Sequence, residues 1–385
     1  MKKKALALLL GICMITMTAC GSTSSQTSGE ASAPAAQDGA AEEGGADDVS
    51  GAEEDQAPAA GSAVAGVVWY NFADTFISNA RQTLINIGAA DGTITITDAD
   101  STNDVSTQTS NMNNFFTQGV DYLVLNNINT GAISEICDQI QAEGCYGIFA
   151  NTDTPSDEDF AKNDKLYSVS SVATQSGTIM GEALAQYWQE HPEADRNGNG
   201  KLDYVMLLGI QGHYDTTVRS QYSVQALEDA GIEVNNIGGE IICDYSRATA
   251  QEKVAALLAN YSDEIDAVIA CNDDMALGAI EALKAGGFFS GDDTYLPVCG
   301  VDATVNGCQA IKDGTMLVTA LNNPVMLAKS IYKVMYLTNS GQEVTTESMG
   351  LEGVSVEGHR VWLDYSPVTK DNVDQATYDI NDTAF

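Results

Sequence analysis

The stretch Asp266-Ala-Val-Ile-Ala-Cys-Asn-Asp-Asp-Met-Ala-Leu-Gly-Ala-Ile-Glu-Ala-Leu-Lys284 decides the fold. Its first half is a short, β-branched apolar run bounded by polar residues, which predicts a buried strand. Its second half places apolar residues at helical spacing, and the polar pair Asn272 and Asp273 falls at the junction. The same alternation recurs along the chain. Strand candidates begin at Gly66 (GVVWYNF), Thr93 (TITITD), Tyr122 (YLVLNN), Tyr146 (YGIFAN), Lys165 (KLYSVS), Tyr204 (YVMLLG), Glu240 (EIICDY), Leu296 (LPVCGVD) and Met316 (MLVTALN), and most precede a helical pattern. Strands alternating with helices predict an α/β protein of parallel sheets with crossover helices. No helix-turn-helix module and no 20-to-50-residue repeat is present in the sequence.

At 385 residues, 44% of them hydrophobic, the chain is long enough for two domains with separate cores. It carries 54 acidic residues against 17 Lys and Arg. Such a balance repels phosphate backbones and anionic lipid, which excludes nucleic-acid binding and polybasic membrane adhesion and favours a neutral ligand.

The first 19 residues predict a signal peptide: Lys2 to Lys4 form a basic segment, Ala5 to Met17 an apolar one too short for a comfortable membrane span, and Thr18-Ala19 precede Cys20. The run Met17-Thr-Ala-Cys20 resembles a bacterial lipobox, so Cys20 is expected to carry a lipid and to be the only membrane attachment. From Cys20 to Ala63 the chain predicts a disordered acidic linker. Gly21 to Ser62 hold nine acids, no base and no aromatic residue, too little apolar area to offset ordering. Six further cysteines follow: Cys137, Cys145, Cys243, Cys271, Cys299 and Cys308. None has zinc-ligand spacing, and free thiols are expected, although Cys137 and Cys145 could bridge.

In open parallel sheets, ligands bind in the crevice outside the carboxyl ends of the strands. Those ends carry Asn126, Asn151, His213, Tyr245, Asn272, Asp273, Asp302 and Asn322, and the first strand adds Asp74 and Phe76. The set is rich in amides, carboxylates and aromatic rings and poor in cations, which suits vicinal hydroxyls and the C–H faces of a pyranose. Singly, Asp74, Asp273 and Asp302 also suit helix N-caps, and His213, Asp215 and Arg219 suit a solvated helix start. Their coincidence at one end of successive strands favours a site.

Asp195-Arg-Asn197-Gly-Asn199-Gly-Lys201-Leu-Asp203 follows the first nine positions of a calcium loop, with Gly200 at position six and the Lys201 carbonyl at seven. Position twelve is Met206, so spacing alone leaves calcium and a plain Asn-Gly turn equally open.

The segments YNFADTFISNAR, DKLYSV, QGHYDTTVR, CNDDMALGAIEALK, GVDA and ALNN together resemble the galactose/glucose-binding group of type I sugar-binding proteins that serve ABC importers, over about Val67 to Asn372. The resemblance implies a type I periplasmic-binding-protein fold of two doubly wound parallel-sheet domains joined by a three-strand hinge, one formed by 64–151 with 323–356 and the other by 152–322 with 357–385. It puts Phe76 and Tyr245 on opposite faces of the sugar, with Asp74, Asn126, His213, Asp215, Arg219, Asn272, Asp302 and Asn322 as hydrogen-bonding partners. The family usually has Trp where Tyr245 stands, and Asn151 has no counterpart. It also supplies a distant acid for the calcium loop, here Asp266. The implied function is capture of D-galactose or D-glucose by a monomeric lipoprotein that presents it to a membrane permease of an ABC importer. The alternative is a sugar or autoinducer sensor of the same fold reporting to a membrane receptor, a chemoreceptor or a sensor kinase. An enzyme is not expected, because the chain has no GxSxG elbow, Walker loop or transition-metal set.

Overall fold

The computed structural model describes residues 63–385 apart from 152–153 and 292–293. The expected signal peptide, Cys20 and nearly all of the linker lie outside the described residues. Element order is β1 (Ala63–Trp69), α1 (Thr75–Asp91), β2 (Ile94–Asp100), α2 (Val105–Gln118), β3 (Tyr122–Leu125), α3 (Ile133–Glu143), β4 (Tyr146–Ala150), α4 (Asp157–Lys162) and β5 (Leu166–Ser171). There follow α5 (Ala173–Glu190), β6 (Leu202–Leu208), α6 (Tyr214–Asp229), β7 (Val234–Ile242), α7 (Arg247–Tyr261), β8 (Ala267–Ala270), α8 (Asp273–Ala285), β9 (Val298–Val301), α9 (Val305–Lys312) and β10 (Val318–Leu321). The chain closes with α10 (Pro324–Asn339), α11 (Thr346–Met349), β11 (Val354–Glu357), β12 (Arg360–Leu363) and β13 (Ser366–Val368).

Two sheets result, in strand orders β11-β12-β5-β4-β3-β1-β2 and β13-β10-β9-β8-β6-β7. All pairings are parallel except β11 with β12 and β10 with β13. Helices cover both faces, so the inner strands β1, β3, β4, β6, β8 and β9 are buried nearly end to end, while β2, β7 and β11 at the sheet edges alternate or open to water. In the first lobe Trp69, Ile77, Leu84 and Tyr332 fill one side of the sheet, and Leu123, Phe149, Phe115 and Ile140 the other. Val205, Ile269, Met275, Val298 and Val318 centre the second lobe. Each such aliphatic side chain contributes about 1.5–3 kcal/mol through burial.

Both sheets reverse direction of build, at β1 between β2 and β3 and at β6 between β7 and β8. Such switch points open a crevice at the carboxyl ends of the flanking strands, and here two of them face each other.

The crossings between lobes differ from the expected boundaries at 151/152 and 356/357. β4, α4 and β5 form one more βαβ unit of the first sheet, and β12 pairs with β5 in register Arg360↔Ser168. The chain therefore crosses at Val172, at 322–323 and at 364–365. The first two crossings run from strand to helix and the third from strand to strand, each only one or two residues long and without Gly or Pro, which is why composition did not mark them. The segment expected as 357–385 of the second lobe is also divided. Val368 and Val373 pack in the second core and Lys312 pairs with Asp374, but the end of the chain returns to the first lobe. There Thr83 donates to the Ile380 carbonyl, Lys329 pairs with Asp382, and Phe385 lies edge-on to Tyr332 and Tyr336.

The six cysteines of the folded part are free and buried, with Cys137 and Cys145 unbridged. Burial pushes their thiols up, to about 12 for Cys137 and Cys271 and about 11 for Cys145, so they are inert small hydrophobes. No helix among the described residues is long and apolar enough to cross a membrane.

Candidate functional site

The loops after β1, β3, β6 and β8, which flank the two switch points, deliver Asp74 with Phe76, Asn126, His213 with Asp215, and Asn272. Tyr245 follows β7, Asp302 follows β9 and Asn322 follows β10. All ten residues expected from the sequence line one cavity of about 30 Å³ between the lobes, together with Tyr70, Ile77 and Asn151. That volume holds one or two waters, so a larger ligand enters only when the lobes part.

Capping and site duties coexist in the same side chains. Asp74 caps α1 by accepting from Ile77 N through Oδ1, while Oδ2 accepts from the Tyr70 hydroxyl. Asn272 caps α8 through Oδ1, at 3.0 Å from Met275 N. Asp273 and Asp302 are not caps. Asp273 faces away from the cavity and accepts from Thr304 N and from the hydroxyls of Thr304 and Thr319. Asp302 sits at φ 113 with Ala303 at φ 49, a strained pair just where β9 hands over to α9, whose cap is Thr304.

Arg219 is buried on α6. Its guanidinium donates to the Cys271 carbonyl (2.7 Å), to Asp215 (3.0 Å) and to the Tyr365 hydroxyl (3.0 Å), which leaves Nε without a partner. Asn126 donates to the carbonyls of Ala150 and Asn151, which leaves its Oδ1 unpartnered. A donor and an acceptor, both buried and both unpaired, thus remain at the cavity, each at a cost of about 1–3 kcal/mol until a ligand meets it. Asn322 accepts from Ser171 of the first sheet (2.7 Å) and donates weakly to Asp302 (3.5 Å), so its amide is oriented across the hinge. The Tyr245 hydroxyl bonds Thr216 (2.9 Å) and His213 Nδ1 (3.3 Å), and its ring lies so close over Gly209 that a Cβ there would stand 2.2 Å from the ring.

Burial drives the electrostatics. It pushes the carboxyl of Asp302 well above the usual range, against the pull of Arg219, and raises Asp74 as well. It lowers His213, so that imidazole is neutral at neutral pH. With Arg219 already paired to Asp215, the cavity offers an anionic ligand no uncommitted cation.

In the Asp195–Asp203 loop, Asp195 accepts from the backbone of Gly198, Asn199 and Gly200. Asn197 and Asn199 both donate to Asp203 Oδ2, and Asp266 accepts from Arg196 N and Asp203 N. Asp203 and Asp266 are each 1% exposed, and burial with Asp203 and Asp195 nearby pushes Asp266 up to about 6. The set is oxygen-rich and short of positive charge, the donor chemistry of a hard-cation site, but the Asn197 and Asn199 amides turn their nitrogens to Asp203, so their oxygens would have to reorient to hold one. Among the described residues no group of three or more His, Cys, Asp or Glu could hold a metal alone, so a cation here would rely on the Asn197 and Asn199 amides and the Lys201 carbonyl as well.

Sequence reasoning missed Tyr70, Ile77 and Tyr365, and named Asn151 at a strand end but left it outside the site. Tyr70 had a signal, being the polar-tipped aromatic just past β1. Asn151, at φ 50 after β4, had the same strand-end signal as Asn126 but no family counterpart.

A family model described as a periplasmic binding protein domain matches residues 65–343. The D-galactose/methyl-galactoside binding periplasmic protein MglB of Haemophilus influenzae is 30% identical over 314 residues, 80% of this chain and 90% of that protein. The xylitol-binding protein of Mycolicibacterium smegmatis is 26% identical over 313 residues, 81% and 78% of the two chains. A solved ABC transporter solute binding protein from Bacillus halodurans with bound myo-inositol superposes with a TM-score of 0.65 at 25% identity, covering 83% of this chain and 98% of its own.

Proposed function

The chain belongs to the periplasmic binding protein family, and from that membership we propose that it captures a monosaccharide, D-galactose or D-glucose, between its lobes for delivery to an ABC importer. The observation that carries this reading is the convergence of ten side chains from both lobes on one cavity, with Asn126 Oδ1 and Arg219 Nε still unpartnered. Phe76 and Tyr245 come from opposite lobes and cover the two C–H faces of the ring. Asp74, Asp215 and Asp302 accept from hydroxyls, Asn126, Asn272 and Asn322 accept or donate, and Arg219 Nε donates to a sugar oxygen. Closure is supported by the Thr75 hydroxyl of the first lobe, 2.7 Å from Asp274 of the second. Relatives named for a galactoside and xylitol, and a structure holding myo-inositol, all concern neutral polyols, in keeping with the acidic cavity.

Two accessory features belong to the same reading. Calcium held by Asp195, Asn197, Asn199, the Lys201 carbonyl, Asp203 and Asp266 would neutralise a buried acidic cluster and tie β6 to β8. Cys20 would carry a lipid, with the acidic segment as a spacer. Cys20→Ser should release the protein from the membrane fraction with ligand binding intact; retention of lipid label by that variant would remove the anchor from this account.

Calorimetric titration tests the ligand. Wild type should bind at least one of the two hexoses, and Phe76→Ala and Asp302→Ala should each weaken binding by about 1–3 kcal/mol, roughly 5- to 150-fold. Binding of xylitol or myo-inositol but neither hexose would overturn the substrate and leave the capture mechanism standing. An unchanged affinity in folded Asp302→Ala would move the site.

A further inference from the structure

Beside the inner pocket lies a larger cavity of about 410 Å³, and Asn151 and Asp215 line both, so the two are contiguous. Its volume is within the range of small-molecule sites, roughly 300–1,000 Å³, whereas the inner pocket is far below it. Trp362 of β12 and Tyr214 of α6 both line it, and hydroxyls from Ser134, Ser156 and Ser170 complete its walls. The acids at its edge are already engaged, Asp215 by Arg219 and Asp159 by Ser134 and Ser156. No Lys or Arg is among its lining residues, so phosphate or carboxylate would find no counter-charge. Aromatic faces with neutral hydroxyls are the chemistry that meets a sugar ring.

Resting on the capture of a hexose in the inner pocket, we propose that this lateral cavity is a second sugar subsite and that the protein takes a neutral disaccharide, one ring inside and the other stacked on Trp362. Asn151 is the hinge of this arrangement. Its left-handed backbone, together with the hydrogen bond from Asn126 to its carbonyl, turns the chain between the two spaces, so a substituent leaving the inner ring toward Asp215 enters the lateral cavity.

The test titrates galactose, methyl β-galactoside, lactose and melibiose into wild type, Trp362→Ala and Tyr214→Ala. The two disaccharides leave the galactose ring with opposite anomeric geometry. At least one should bind wild type as tightly as galactose or more so. Trp362→Ala should weaken that disaccharide by about tenfold while leaving galactose within about twofold. Tyr214, 44% exposed, gives a second variant that leaves the core untouched, with the same expected pattern. The intrinsic fluorescence of Trp362, one of three tryptophans, should shift with the disaccharide and not with galactose. Galactose binding with no disaccharide binding overturns the second subsite, and so does an equal loss for both ligands in Trp362→Ala, which would make the lateral cavity part of a single-ring site. If no hexose-containing ligand binds while xylitol or myo-inositol does, the hexose reading itself has failed.

Discussion

Arg219 shows how much rests on one buried side chain. It joins α6 to the end of β8 through Cys271, to the third crossing through Tyr365, and to its own helix through Asp215. Replacement by Met should remove about 3–5 kcal/mol of stability, because Asp215 is then left buried with no counter-charge. A denaturant melt measures the loss, and Asp215→Asn in the same background should restore part of it. Asp273 makes a different statement, about pH. Burial pushes its carboxyl up to about 7, above an unfolded value near 4. The folded state therefore holds a proton that the unfolded state has released, and the stability tied to that proton is complete below about pH 4 and lost as pH rises through about 7. Thermal midpoints should fall between pH 5 and pH 8, and Asp273→Asn should flatten that fall; an identical slope in the variant would put the titration elsewhere. Site residues such as Asp302 were legible from the sequence because strand ends are where polar side chains collect. Tyr365 was not, because its partner Arg219 is 146 positions away and a tyrosine just past a short strand looks like packing.

Between elements, close approach replaces bulk. On α5, Gly177 and Gly181 lie one turn apart against α6, and a Cβ on Gly181 would stand 2.3 Å from the Ser223 carbonyl. Alanine is the better helix former, by about 1 kcal/mol, but here it must push α6 outward, which costs about 1–3 kcal/mol. Gly181→Ala should therefore lower the melting midpoint and also weaken sugar binding, since α6 carries Asp215 and Arg219; a stabilised variant would mean the helices part freely. The Asp195–Asp203 loop gives the other test at this scale. A chelator should lower the midpoint of calcium-loaded protein, and Asp195→Ala should abolish that sensitivity while leaving the sugar contacts in place. Period alone exposed most of this architecture, since β-branched runs such as Ala267–Ala270 and helices such as Asp273–Ala285 differ plainly in spacing. β12 escaped because RVWL opens on Arg360 and is followed by no helical pattern, and its partner β5 lies more than 180 positions away. The crossings escaped with it.

At the scale of the whole molecule, the lobes are held by three crossings, by the hinge bond from Ser171 to Asn322 and by the Thr75 to Asp274 contact over the cavity. Sugar bridging both lobes should shift the population toward the compact form, read as a smaller radius of gyration in solution scattering on titration. Thr75→Val should lessen closure in the absence of sugar without removing a group from the pocket. The returning C-terminal segment bears on the same equilibrium. It rests on α9 through Asp374 and on α1 and α10 through Tyr378, Ile380, Asp382 and Phe385, so it spans both lobes without lining the pocket. An apparent dissociation constant is the intrinsic one divided by the fraction of molecules in the competent shape. A substitution at Phe385 or Asp382 can thus slide the whole dose–response curve along the concentration axis with every sugar contact unchanged, and the working threshold of the receptor becomes a property of its tail.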